Sequence, residues 1–150
     1  MIALIQRVAE ASVSVGGEPV GAIGKGILAL VGVERGDGED EAVRLAERVL
    51  DYRIFPDEAG RMNRSLLEEE GRLLAVPQFT LVADTRKGSR PSFSGGASPE
   101  EGMRVFHKFV EFANQKTSVE TGRFGADMRV RLVNDGPVTF WLQVKPVPLR

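Results

Sequence analysis

Two short polar interruptions break apolar, strand-like runs in this chain. Gln78 and Thr80 flank Phe79 within residues 72–82, and Asn134-Asp135-Gly136-Pro137 separates two apolar stretches near the end. Apolar strands seldom carry such residues, because a proline removes a ladder hydrogen bond and polar side chains weaken packing. At the exposed end of a strand, the main-chain amides of Phe79 and Thr80 can point at a developing oxyanion. Each donor of that kind contributes about 3 kcal/mol to the transition state of an acyl transfer. The structural alternatives are a plain central strand through Thr80 and a simple hairpin turn at 134–137, since Asn, Asp, Gly and Pro are the turn formers.

Other acyl-transfer chemistries lack their parts. A nucleophile–imidazole–carboxylate triad needs a histidine base, and the only histidine, His107, falls at the edge of the apolar face of a helix, as a packing or surface residue would. Cysteine is absent, which excludes thiol catalysis, thiolate zinc sites and a disulfide scaffold. The carboxylates that could hold magnesium lie mostly along helix faces, so no metal and no cofactor are expected. What remains is hydrolysis through backbone donors and positioning.

The elements that must position these residues follow from periodicity. Ala11, Val13 and Val15 alternate with Ser12 and Ser14 ahead of Gly16-Gly17, which reads as a half-buried hairpin strand with residues 20–23 as its partner. Residues 26–33 are apolar on both faces, as in a central strand covered on both sides. A helix is predicted over 40–50, with Ala42, Val43, Leu45, Ala46, Val49 and Leu50 as its apolar stripe and Glu41, Arg44, Glu47 and Arg48 facing water. Residues 52–55 read as a strand, 56–64 as an open turn and 72–82 as a second central strand. Residues 83–97 form a long loop of the kind that is usually functional or mobile. Ser98-Pro99-Glu100-Glu101 then opens a second helix, with Ser98 as N-cap, Pro99 at the first helical position and Glu101 closing a capping box. Its apolar face is Met103, Phe106, Val110 and Ala113. Two last strands, about 127–133 and 138–144, surround the Gly-Pro step. Mostly strands with two helices suggests a mixed sheet with the helices on one side.

At 150 residues one domain over 1–150 is the simplest division, large enough to bury roughly 70% of its unfolded surface. The formal net charge of −1 argues against a protein that coats nucleic acid by bulk electrostatics, so no DNA partner is expected and any RNA contact is local. The longest apolar run is too short to cross a bilayer, and the opening residues read as a first strand rather than a leader. A cytoplasmic protein without membrane contact is the expectation.

The two interrupted segments, Pro77-Gln78-Phe79-Thr80-Leu81 and Asn134-Asp135-Gly136-Pro137-Val138-Thr139, resemble the signature motifs of the D-aminoacyl-tRNA deacylases. The resemblance extends from Arg7 to Thr139. It implies an α/β fold whose mixed, β-rich sheets form a β/β/α layered, barrel-like domain with two helices. It also implies a homodimer that hydrolyses the ester of D-aminoacyl-tRNA or glycyl-tRNA at the tRNA 3′ end, for chirality proofreading. Thr80, Gln78 and Phe79 would line the catalytic pocket, with either Thr80 or the terminal 2′-hydroxyl driving attack. The absence of a base near Thr80 favours the 2′-hydroxyl, since an unassisted threonine is a weak nucleophile.

By the same resemblance Gly136 and Pro137 would be joined by a cis bond and inserted into the partner subunit's site, with Arg7 holding them. An edge-strand arginine is the alternative for Arg7. Lys87 and Arg90, in Lys87-Gly88-Ser89-Arg90-Pro91-Ser92-Phe93, are similar to a basic loop suited to phosphate. Phe124, Gly125 and Met128 resemble the pocket for the terminal adenosine, although core packing would also explain Phe124 and Met128. The family's first motif usually begins with serine, and Pro77 here supplies neither hydroxyl nor N–H donor. A non-catalytic RNA-binding module and an esterase for small metabolites are the competing functions.

Overall fold

The computed structural model describes residues 1–147. Strand β1 (Ile2–Val15) serves as a spine. Its first half pairs antiparallel with β3 (Gly26–Gly32), its second half with β2 (Glu18–Ile23), and its other edge with β8 (Arg129–Gln143). β6 (Arg72–Pro77) joins β3 in parallel, and the three-residue β7 (Val119–Thr121) joins β6 in parallel. The order β2-β1-β3-β6-β7 returns towards its start, because a Cβ on Gly21 of β2 would lie 2.9 Å from Thr121 O of β7. The mixed sheet is therefore nearly closed as a barrel, with β8 as an added strand on β1. A short ribbon of β4 (Phe55–Pro56) and β5 (Met62–Arg64) stands apart.

Strand alternation divides the core in two. Leu28, Leu74, Val76, Val8, Ala11, Val13 and Ile23 fill the barrel. Ile27, Ala29, Val31, Leu73 and Ala75 point the other way, into the layer formed by α1 (Glu39–Asp51) and α2 (Pro99–Asn114). α1 buries Ala42, Leu45, Ala46, Val49 and Leu50. Truncating a fully buried leucine such as Leu45 to alanine costs about 2–5 kcal/mol.

Several elements differ from the sequence expectation. The strand predicted over 72–82 stops at Pro77, because after one more bond to β3 from Gln78 N the chain turns into a 3-10 helix over Phe79–Val82. Of residues 52–55 only Phe55 is in a strand, and the turn at 56–64 contains β5. The two strands around Gly136-Pro137 are one strand, β8. On α2 the buried stripe is Gly102, Val105, Phe106, Phe109 and Ala113, rotated from the predicted face, so Met103 is exposed and Val110 only half-buried. Ser98 Oγ caps α2 by accepting from Glu101 N at 3.3 Å, but the Glu101 carboxylate goes to Arg104 instead of closing the box. At α1 the converse holds. The Glu41 carboxylate accepts from Gly38 N at 2.8 Å, and this draws Glu41 into the interior.

Candidate active site

Where β6 ends, Gln78 N donates to Val31 O at 2.8 Å as the last link to β3. The chain then turns into one turn of 3-10 helix, Phe79–Val82, closed by Leu81 N to Gln78 O at 3.2 Å. This turn packs on Gly32, where a Cβ would stand 2.7 Å from Val82 Cγ1 and 3.2 Å from Gln78 O. The first amides of a helical turn have no acceptor within it, and among the described residues none is bonded to the amides of Phe79 or Thr80. The two donors thus sit at the start of a 3-10 turn, not at a strand end. Gln78 Nε2 donates to Thr80 Oγ1, which fixes both side chains relative to the turn.

A cavity of about 290 Å³ opens beside the turn, lined by Pro77, Gln78, Phe79, Gly102, Phe124 and Gly125 among others. The Phe124 ring rests against Phe106, with centroids 6.4 Å apart, and a Cβ on Gly102 would reach within 3.3 Å of it. One wall is thus an aromatic face, suited to stacking a base. Phe79 is 68% exposed and packs on Phe93, ring centroids 5.2 Å apart at 49°, which ties residues 83–97 to the turn. Thr80 lies next to the lining residues, exposed. Met128 does not line the cavity. Its sulfur accepts from Arg123 N at 3.3 Å, and its side chain packs on the barrel core.

The loop from Ala83 to Ala97 is pinched by main-chain bonds between Asp84 and Ser92, 2.7 and 3.1 Å long. Arg86 grips Asp84 through Nε and Nη2 at 2.9 and 2.8 Å. That guanidinium pulls the Asp84 carboxyl down to about 2. Lys87 and Arg90 are exposed and have no ion-pair partner among the described residues, so they remain as the loop's available cations. His107 is an exposed residue of α2 and takes no part in the lining. Among the described residues no group of three histidines and carboxylates could hold a metal.

The Gly-Pro step sits elsewhere on the same chain. Gln6 pairs with Thr139 and Val8 with Asn134, so the single residue Arg7 stands opposite four residues of β8, 135–138. This is a wide bulge, where sequence alone suggested a hairpin turn. The Gly136-Pro137 bond is cis. Gly136 has φ +142°, a region open to glycine, and a Cβ there would meet Val138 Cγ2 at 2.7 Å. Arg7 lies in β1 between β3 and β8, not at a sheet edge, and donates from Nε to Asp135 O at 2.9 Å. The sequence reading missed Gly102 and Phe93. A glycine inside α2 is a usable signal, because it costs about 1 kcal/mol against alanine unless packing requires it. Phe93 in its polar loop carried none.

A nearly closed mixed barrel with two helices, and a pocket where β6 gives way to a 3-10 turn, defines the class. The family model described as D-Tyr-tRNA(Tyr) deacylase matches residues 4–143, and the chain belongs to this family. It is 63% identical over 147 residues to the D-aminoacyl-tRNA deacylase of Thioalkalivibrio sulfidiphilus, covering 97% of this chain and 99% of that protein. It is 60% identical over 147 residues to the D-aminoacyl-tRNA deacylase of Alkalilimnicola ehrlichii, covering 97% of this chain and 98% of the relative. Among solved structures, one titled c-Myc DNA Unwinding Element Binding Protein superposes with a TM-score of 0.92 at 35% identity, over 97% of this chain and 100% of that one.

Proposed function

We propose that this chain hydrolyses the ester of D-aminoacyl-tRNA, and of mischarged glycyl-tRNA, and spares L-aminoacyl-tRNA. The carrying observation is the pair of unbonded amides at Phe79 and Thr80 beside a nucleoside-sized cavity with an aromatic wall. The terminal adenosine stacks on Phe124 next to Gly125, and the ester carbonyl oxygen faces the two amides. Water assisted by the 2′-hydroxyl of the terminal ribose adds to the carbonyl carbon, and the amides stabilise the oxyanion. The carbon–oxygen bond to the ribose then breaks, the ribose oxygen takes a proton, and free tRNA and D-amino acid leave. Thr80 does not attack, because its hydroxyl accepts from Gln78 and has no imidazole or carboxylate partner among the described residues.

Selection against L-substrates is assigned to Gly136-Pro137 of a second copy. Within one chain the bulge lies three strands from β6 and five residues along the sheet from Gln78, given the registers Arg7 to Ile27 and Ile27 to Leu73. At ordinary strand spacings that is roughly 20 Å, beyond reach of its own pocket. A homodimer supplies the missing piece. Trp141 (54% exposed) and Leu132 (37%), on the same face of β8 opposite Leu4 and Ala11 of β1, give it an uncovered apolar surface for such a contact. A two-fold arrangement would complete both pockets at once.

Lys87 and Arg90 then contact phosphates of the 3′ strand, and the protein acts in the cytoplasm as one domain without cofactor. No described helix is long and apolar enough to cross a membrane. Incubating the purified protein with D-Tyr-tRNA tests the reading. An enzyme releases D-tyrosine with turnover, whereas an RNA-binding module protects the ester and an esterase for small metabolites cleaves free acyl esters equally well.

A further inference from the structure

We propose that Asn134 is a positioning residue that staples the bulge shut and so sets the aim of Gly136-Pro137. The inference rests on the selector reading above. Asn134 and Thr139 are the last paired residues on either side of the bulge. The Asn134 side chain spans the opening: its Nδ2 donates to Thr139 Oγ1 at 2.9 Å, and its Oδ1 accepts from Val138 N at 2.7 Å. Gln6 Nε2, from the facing strand, reaches the same Thr139 hydroxyl at 3.4 Å.

One planar amide therefore does two jobs. It supplies an acceptor to Val138 N–H, in a stretch where residues 135–138 have no register partner on β1, and it joins the two ends of the bulge. Arg7 holds the first carbonyl of the bulge at Asp135, and the buried Val138 side chain holds its last residue. Gly136 and Pro137 lie between these anchors. A backbone selector works by steric exclusion, which depends on its atoms being held in place. Each residue left free to sample its backbone wells carries conformational entropy that holding it in place must overcome. Without the staple, four unpaired residues regain part of that freedom. The fold itself does not need it, since β8 keeps its pairing with β1 on both sides of the bulge.

The test compares Asn134→Leu, which keeps the shape and removes both bonds, with Asn134→Asp. In the second the carboxylate still accepts from Val138 N, and the Thr139 hydroxyl can turn to donate to it. Hydrogen exchange of the Val138 amide is read alongside deacylation of D-, glycyl- and L-aminoacyl-tRNA. We expect Asn134→Leu to speed Val138 exchange at least tenfold and to lower the D-over-L rate ratio at least tenfold. Asn134→Asp should stay within about threefold of wild type in both. Exchange and ratio unchanged in Asn134→Leu, or an Asn134→Asp as damaged as Asn134→Leu, would overturn the proposal. If wild type fails to cleave D-aminoacyl-tRNA, the selector reading is lost, and the exchange comparison still decides whether Asn134 is the staple. Thr139→Val is the second variant should Asn134→Leu fold poorly. It removes only the shared hydroxyl, and unchanged exchange and ratio there would count equally against the staple.

Discussion

Arg7 reaches beneath the bulge of β8 and bonds two carbonyls from separate parts of the chain, Asp135 O through Nε at 2.9 Å and Ile54 O through Nη1 at 2.7 Å. Its side chain is only 13% exposed; the bond to Ile54 O is partly buried, while the one to Asp135 O is open to solvent. A single guanidinium thereby fixes the bulge against the segment that follows α1.

Replacing Arg7 should therefore act on stability as well as on selection. Arg7→Leu leaves the partly buried Ile54 carbonyl without its donor, at a cost of about 1–3 kcal/mol, while water can take over the exposed Asp135 carbonyl. At roughly 2–4 °C per kcal/mol for a chain of this size, Tm should fall by several degrees in a thermal melt, with a lowered D-over-L ratio. A variant that melts like wild type would show that these bonds contribute nothing.

Thr80 and the terminal ribose can be separated. Thr80→Ala should lose no more than about tenfold in kcat, because its hydroxyl serves position rather than attack. A tRNA ending in 2′-deoxyadenosine should lose about 10²–10⁴-fold, the range of a missing proton-transfer catalyst. Full activity on the deoxy substrate would return Thr80 to the role of nucleophile.

Gly102→Ala sets pocket against fold. The new methyl would press on the Phe124 ring from 3.3 Å, while alanine is the better helix former by about 1 kcal/mol. KM for aminoacyl-tRNA should rise several-fold with Tm unchanged or higher. Unaltered KM would remove Phe124 from the binding site.

A charge on the uncovered face of β8 should disrupt the dimer. Leu132→Glu and Trp141→Glu are expected to sediment as monomers and to lose deacylation together, because the completing bulge leaves with the partner. Trp141 is the sole tryptophan, so wild-type emission also reports the contact on dilution. An active monomer would contradict the shared pocket.

The sequence made the repeating parts of this fold legible. The period-two run of β1, the continuous apolar run of β3 and the stripe of α1 emerge directly from apolar spacing. It failed where a polar detail or a partner strand decides the outcome. β6 ends at Pro77 because, after one last bond from Gln78 N to β3, the chain turns into a 3-10 helix, yet Phe79, Leu81 and Val82 continue the apolar pattern and disguise that turn. β7 has three residues, too few to show a period. The bulge at 135–138 carries the same residue types as a hairpin turn, and only the pairing of both flanks with β1 separates the two. At the site, Gln78, Phe79, Phe124 and Gly125 are brought to one cavity, while Met128 packs on the barrel and Gly102 had to be found from its contact with Phe124.

The central claim is chirality selection by a backbone segment from a second copy, and hydrolysis of D-Tyr-tRNA, L-Tyr-tRNA and Gly-tRNA by the wild-type protein tests it most directly. A segment that excludes side chains on one side of the α-carbon, with no pocket for the other, predicts that D-Tyr-tRNA and Gly-tRNA are both cleaved and L-Tyr-tRNA is spared. Cleavage of L-Tyr-tRNA at a rate comparable to D-Tyr-tRNA would contradict it.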